Sequence, residues 1–369
     1  MINIAIMGFG TIGKGVAEIL SANNDIIEKK CGNKVNLKRI LDVRDIDDKK
    51  YSALLTRNFE DIESDPEIDI VVETIGGTKF SYGYTKRLLC AKKSVVTSNK
   101  ELVSIHGAEL LAYAAENKVR YMFEASVGGG IPVITPMIDS LAANEITEIH
   151  GIINGTTNYI LTNMKKGKSF DEALADAQNK GYAELNPAAD VDGHDACRKI
   201  CILAALAFGK MVSPENVKIR GIRDITLKDF NNIDNRTHSL KLIASAVKLD
   251  SGEIYINVEP YAVVNTNPLA HIEGVYNGIL IRGNAVGDVM FYGSGAGMFP
   301  TASAVMADII HIASHGGKQH EQITWEYAPE LYTPNLPDAI SQRLRETLGC
   351  EAQEGCKARR GAAPHPASL

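Results

Sequence analysis

Six mostly apolar residues, Ile2 to Met7, run straight into the loop Gly8-Phe9-Gly10-Thr11-Ile12-Gly13, and a helix-like stretch follows at once. The three glycines of such a loop have separate tasks. The first permits a tight turn out of a strand, the second lets a pyrophosphate approach the backbone, and the third lets helix pack on strand. N–H groups at the start of that helix then face phosphate oxygens. A chain that begins this way is constrained to an α/β layer with a parallel sheet, and its first candidate ligand is a dinucleotide.

The next hundred residues keep that rhythm. Helix-like Gly13 to Lys30 leads to strands at Asn36–Leu41 and Asp69–Glu73, a helix over Tyr82–Ala91 and a strand at Ser94–Thr97. A helix over Glu101–Glu116 and a strand at Arg120–Ala125 follow, alternating as parallel strands with crossover helices do. Asp42 ends the second strand, where a carboxylate takes the ribose hydroxyls of NAD, while Arg44 suits the 2′-phosphate of NADP; the cofactor reading stays open between them. Lys100, in SNKEL, follows the fifth strand at its carboxyl end and points at the cofactor crevice. Thr74, in VVETIGG, ends the preceding strand and is a candidate hydrogen-bonding partner for ribose or nicotinamide.

GGGIP at Gly128–Pro132 marks a change of style, read from the residues as a turn. From Pro136 the order becomes helix, strand (Glu145–Ile153), helices (Thr157–Lys165 and Phe170–Lys180), a loop, and a long helix over Ala196–Phe208. Strands at Glu253–Pro260 and Gly278–Gly283 and a helix over Thr301–Ser314 come later. This is an α+β unit with its own sheet, and two domains suit 369 residues at roughly 150 per domain. The last residues, from Gly349, show no periodicity and are expected to lack a fold.

Thirty-nine Lys and Arg are outnumbered by 45 Asp and Glu, for a net charge of −6. The basic surplus that phosphate backbones or anionic membranes require is missing, so nucleic acid and membrane are excluded as partners. The opening MINIAIMGFG has no charged leader, and no apolar run reaches about 18 residues, which together lead us to expect a cytoplasmic protein. Scattered cysteines without a CxxC pair are read as reduced thiols.

The chemistry concentrates in GYAELNPAADVDGHDACRK, Gly181 to Lys199, which holds Glu184, Asp190, Asp192, Asp195 and Lys199. Asp195 and Lys199 are four apart and share a helix face, the acid N-terminal. Ile200 to Phe208 are apolar on every face, so that helix is buried and the charged pair at its start lines an internal cleft rather than open surface. Hydride addition to a carbonyl leaves an alkoxide that needs a proton, and a lysine ammonium is a competent donor. Lys199 is the candidate, with Asp195 to orient it and Glu184 to meet a substrate ammonium or hydroxyl. NGTTN, Asn154–Asn158, caps a helix whose start favours a substrate carboxylate.

Taken together, GFGTIGKGV, VVETIGG, SNKEL, EASVGGGIP, NGTTNYIL, GYAELNPAADVDGHDACRK and GSGAGMFPTASAV resemble the homoserine dehydrogenases. These NAD(P)-dependent enzymes interconvert L-aspartate 4-semialdehyde and L-homoserine on the route to threonine, methionine and isoleucine. The matches run in order from Ile6 to Val305. The resemblance implies a Rossmann-like domain (1–133, with a returning helix near 300–318), an α+β substrate and dimerisation domain (134–299), and a C-terminal extension from 319. It puts the acid–base lysine on Lys199 and the nicotinamide-side lysine on Lys100. Glu184 and Asp195, with Asp190 and Thr156 beside them, become substrate contacts. Cofactor contacts fall on Phe9, Thr11, Ile12, Thr74, Gly181 and Gly295, and a sodium ion on main-chain carbonyls at Glu124, Val127, Gly129 and Ile131. A homodimer is implied as well. The sequence departs from the family's pattern at Asn186, where the family has Asp before the proline. It also shows no βαββαβ pattern of a regulatory ACT domain, so little threonine feedback through such a domain is expected. Two other readings are an aspartate dehydrogenase-like reductase and a dinucleotide sensor without turnover.

Overall fold

The computed structural model describes residues 1–315 and 323–351. Strands β1 (Ile2–Met7), β2 (Val35–Leu41), β3 (Leu55–Thr56), β4 (Ile70–Glu73), β5 (Ser94–Thr97) and β6 (Tyr121–Met122) form one parallel sheet, in the order β3-β2-β1-β4-β5-β6. The order reverses between β1 and β4, and the carboxyl ends of these two strands flank the crevice where doubly wound sheets bind ligands.

Helices α1 (Thr11–Ala22), α2 (Asn24–Cys31), α3 (Ser81–Cys90) and α4 (Lys100–Asn117) belong to this layer. The single helix expected over Gly13–Lys30 is two. Asn23 leaves helical geometry at ψ 18°, and its carbonyl accepts from Ile27 N–H to start α2. The strand expected at Arg120–Ala125 stops at Met122, because the chain turns so that the buried Glu124 carboxylate can accept from the N–H groups of Val133, Ile134 and Thr135 at 2.7, 2.8 and 2.7 Å. Three orphan donors of the helix Ile134–Asp139 are thereby satisfied.

The second sheet is mixed and eight-stranded. Its path is β12 (Gly287–Ser294), β11 (Tyr276–Gly283), β7 (Ile146–Ile152), β9 (His238–Lys248), β10 (Ile254–Val264) and β13 (Tyr332–Thr333), with β8 (Lys218–Ile219) and β14 (Gly349–Glu351) also pairing to β10. Helices α5 (Gly155–Lys165) and α7 (His194–Phe208) pack on it, while α6 (Phe170–Asn179) packs on α5. β9 and β12 were not expected. β9 is buried from Ser239 to Val247, and a strand covered on both faces has no alternation to read. The strand expected to end at Pro260 continues to Val264.

Helix α8 (Met298–His315) returns to the first sheet and packs on α1 and α2. Ala302, Val305, Met306 and Ile309 close a core with Ile4, Ile6, Val16, Leu20, Ile70 and Val72. The opposite sheet face, with Ala5, Met7, Val71 and Val95, belongs to a core that continues through α4 and α7 to β9 and β10. Of the extension expected from residue 319, the described part adds β13, α9 (Asp338–Thr347) and β14 to the second sheet. Of the segment from Gly349, expected to lack a fold, Gly349–Glu351 instead form β14 by pairing antiparallel with Tyr261–Val263 of β10, while 352–369 lie outside the described residues. No helix among the described residues is long and apolar enough to cross a membrane.

Candidate active site

Gly8 has φ +93°, and a Cβ there would lie 2.7 Å from the Thr74 carbonyl oxygen. A Cβ on Gly13 would lie 2.1 Å from the Gly8 carbonyl oxygen, so helix and strand approach too closely for any side chain. Gly10 differs: its nearest atom would be Arg44 Nη2 at 3.8 Å. The protein's own packing leaves that space open above the start of α1, whose first N–H groups have no side-chain cap. An anion fits there.

At the end of β2, Asp42 accepts from Phe9 N–H (2.7 Å), Arg44 N–H (2.9 Å), and Arg44 Nε and Nη2 (3.0 and 2.8 Å). The Arg44 guanidinium, against the cost of burial, holds the Asp42 carboxyl well below the usual carboxylate range. The carboxylate and cation read from sequence as alternatives for the ribose are thus one ion pair, beside a pocket of about 260 Å³ that Phe9 also lines. Thr74, a candidate partner for ribose or nicotinamide, has its hydroxyl proton engaged within the protein. Its hydroxyl donates to the carbonyls of Gly8 (2.7 Å) and Met7 (3.1 Å), so it ties β4 to the glycine loop. Glu73, fully buried, accepts from Thr97 Oγ1 (2.6 Å) and Ile75 N–H (2.9 Å) and fixes the turn after β4.

Between the two sheets lies a cleft of about 760 Å³. The Lys199 ammonium is buried and donates to Asp195 Oδ2 (2.9 Å) and to the Ile153 carbonyl (2.9 Å). Lys100, the first residue of α4, approaches Asp195 Oδ1 at 3.1 Å from the opposite wall. Asn99 holds it there by capping α4 on Leu102 N–H (3.1 Å) and donating to the Gly77 carbonyl (2.7 Å). Burial opposes ionisation of Asp195, yet Lys199, Lys100 and the Asn154 amide overcome it and hold the carboxyl well below its ordinary range. Asp190 behaves oppositely: burial pushes its carboxyl up, the Asn154 amide opposes this, and the Asp195 charge adds to it.

Of the residues singled out from sequence, Ile12, Lys100, Val127, Gly129, Thr156, Gly181, Glu184, Asp190, Asp195, Lys199 and Gly295 line the cleft. Thr156 Oγ1 donates to the Tyr182 carbonyl at 2.6 Å, which ties α5 to the loop carrying Glu184. Glu184 is exposed at the rim. Asp192 is not part of the cluster, because it turns outward to a bidentate pair with Arg223 at 2.8 and 3.0 Å. Gly8, Gly10, Thr11 and Gly13 shape the loop without lining the cleft. Glu124 and Ile131 are buried behind it.

The Glu124 carboxylate is spent on a helix start, so a cation near it would have to be held by main-chain oxygens. The buried carbonyls of Val127, Gly129 and Ile131 accept no hydrogen bond among the described residues, which fits such a role. Sequence reasoning missed two polar contributors. Asn154 was read only as a helix cap, and Glu73 was not singled out at all. A buried carboxylate at a strand's end followed by glycines was the available signal for Glu73.

Two family profiles match the chain: "Homoserine dehydrogenase, NAD binding domain" over residues 8–124 and "Homoserine dehydrogenase" over residues 132–310. The homoserine dehydrogenase of Bacillus subtilis is 40% identical over 316 residues, spanning 84% of this chain and 72% of that protein. The crystal structure of a homoserine dehydrogenase from Thiobacillus denitrificans superposes with a TM-score of 0.82 at 36% identity, covering 91% of this chain and 79% of that one. A hyperthermophilic archaeal homoserine dehydrogenase in complex with NADPH superposes with a TM-score of 0.73 at 29% identity, covering 87% and 99%.

Proposed function

The chain belongs to the homoserine dehydrogenase family of NAD(P)-dependent oxidoreductases, and from that premise we propose how its cleft reduces L-aspartate 4-semialdehyde to L-homoserine and reverses the step. Bound nicotinamide supplies or accepts the hydride. Lys199 has three N–H donors, of which Asp195 and the Ile153 carbonyl occupy two. The third has no partner among the described residues and is available to the aldehyde oxygen, to which it passes a proton as the C–H bond forms. In the reverse direction the Lys199 amine takes the hydroxyl proton as hydride leaves. This single geometry, a buried lysine with one donor unspent, carries the reading.

The other roles follow from charge. Asp195 keeps Lys199 oriented, and Lys100 balances Asp195 from the cofactor side. The Glu184 carboxylate has no hydrogen bond or ion pair among the described residues and lies at the rim, ready for the substrate ammonium. Thr156 and the amino end of α5 suit the substrate carboxylate. Asp190 adds to the anionic wall.

Residues 1–133 with α8 are read as the cofactor-binding part and 134–299 as the substrate part. Phe9, Gly10, Thr11 and Ile12 meet the dinucleotide phosphates, with Gly181 and Gly295 beside the nicotinamide half and the Asp42–Arg44 pair at the adenosine ribose. Either NAD or NADP suits this frame. A sodium ion is read at Val127, Gly129, Ile131 and Glu124, supported by the free carbonyls described above. The protein is read as a cytoplasmic homodimer. The outer edge of β12, where Met290 and Tyr292 are exposed, supports pairing with a second copy.

The test is oxidation of NADH and of NADPH by purified protein given L-aspartate 4-semialdehyde, with homoserine identified as product. Lys199→Ala should lower turnover by about 10²–10⁴-fold while leaving dinucleotide affinity unchanged. Undiminished turnover in that variant would remove Lys199 from the mechanism.

A further inference from the structure

Asn154 is buried at the junction of β7 and α5, and all four of its amide valences are used. Its Oδ1 accepts from Thr157 N–H at 2.9 Å and from Thr157 Oγ1 at 3.0 Å. That fixes which way the amide faces, so its Nδ2 must point to the other side. There the two N–H groups are divided between two different carboxylates, Asp190 Oδ1 at 2.8 Å and Asp195 Oδ2 at 2.9 Å. The preceding carbonyl, that of Ile153, accepts from Lys199. One stretch of backbone thus grips both members of the Lys199–Asp195 pair.

We propose that Asn154 is a positioning residue that sets the protonation range of the Lys199–Asp195 pair, by placing a neutral amide donor between two carboxylates that would otherwise face each other unscreened. The inference rests on the reaction proposed above. Its physical content is electrostatic. Asp190 and Asp195 are like charges in a partly dry cleft, and the positive end of the amide dipole offsets their repulsion. Lys100 and Lys199 supply the positive charge on the Asp195 side, while Asp190 has no ion pair of its own among the described residues. Glu184 at the rim and Lys180, which pairs with Asp176, are the remaining charged residues that line the cleft. Removing the amide leaves a more negative potential at the Lys199–Asp195 pair.

Asn154→Ser and Asn154→Asp separate this role from capping, since Ser and Asp both cap helix starts about as well as Asn. Serine retains an acceptor for Thr157 and loses the bridging amide. Aspartate retains the cap and adds a third carboxylate. In homoserine oxidation, kcat/KM of the wild-type protein should rise with pH, and that rise should move alkaline by roughly half to one pH unit in Asn154→Ser and further in Asn154→Asp. The loss in kcat/KM at pH 8 should be about tenfold in Asn154→Ser. NADPH affinity should be unchanged in both. The pH dependence of Lys199 acetylation by acetic anhydride, followed by mass spectrometry, should shift in the same order without calling on turnover. Profiles that superimpose on wild type, in whichever variant folds, would reduce Asn154 to a cap whatever the rates are. Wild-type protein without turnover but with the labelling shift intact would refute the reaction and leave the electrostatic role standing.

Discussion

Glu184 and Asp195 are both carboxylates in one cleft, yet their surroundings assign them different work. Asp195 is buried with three partners, whereas Glu184 waits at the rim with none among the described residues for its side chain. Glu184→Gln should therefore raise KM for homoserine by about tenfold, the loss of one charge-assisted hydrogen bond, with a smaller effect on kcat. Steady-state kinetics in the oxidative direction check this, and an unchanged KM would take Glu184 out of substrate binding. Asp195 and Lys199 were legible as a pair because acid and base four apart at the head of an apolar helix have few structural explanations. The Asn154 bridge was not. A cap residue announces its oxygen, but nothing in the sequence says where its amide N–H groups point. Main-chain carbonyls such as those of Val127 and Gly129 have no side-chain signature, so the sodium reading proposed there rests on family resemblance rather than on any sequence signal.

Among the elements, those with an amphipathic or β-branched signature were read well: β1 and β5 have the bounds that their sequences suggest. β9 escaped because its polar residues are buried with the rest. Lys241, at 3% exposure, donates to the Ile272 carbonyl and approaches Asn158 Oδ1 at 3.5 Å, so a charged residue supports the base of α5 from within the sheet. Burial pulls its ammonium down from 10.5 to about 8. Between those values the unfolded chain binds the extra proton, so the Lys241 contribution to stability rises with pH through this window and is least below it. Relative to Lys241→Met, the wild-type protein should gain on the order of 3 kcal/mol between pH 8 and 10.5. Denaturant melts of both proteins at the two ends measure it, and parallel curves would contradict the burial of a charged Lys241.

At the scale of the whole molecule, one core runs from the first sheet through α4 and α7 into the second, and α8 ties the second part of the chain back to α1. Heat should unfold this protein in one transition. NADPH at a hundredfold excess over its dissociation constant should move that transition upward as a unit, with a stabilisation of about 2.7 kcal/mol. Two resolved calorimetric peaks, only one of them sensitive to NADPH, would show that the sheets melt separately. The same tie has a consequence during synthesis. β6 ends the first sheet at Met122, but the apolar face formed by Ile4, Ile6, Val16 and Val72 is covered only when Ala302 to Ile309 arrive. At translation rates of about 5–20 residues per second, the roughly 180 intervening residues leave that face bare on the ribosome for about 10–40 s. The nascent chain thus carries an apolar face that its own later helix has not yet covered.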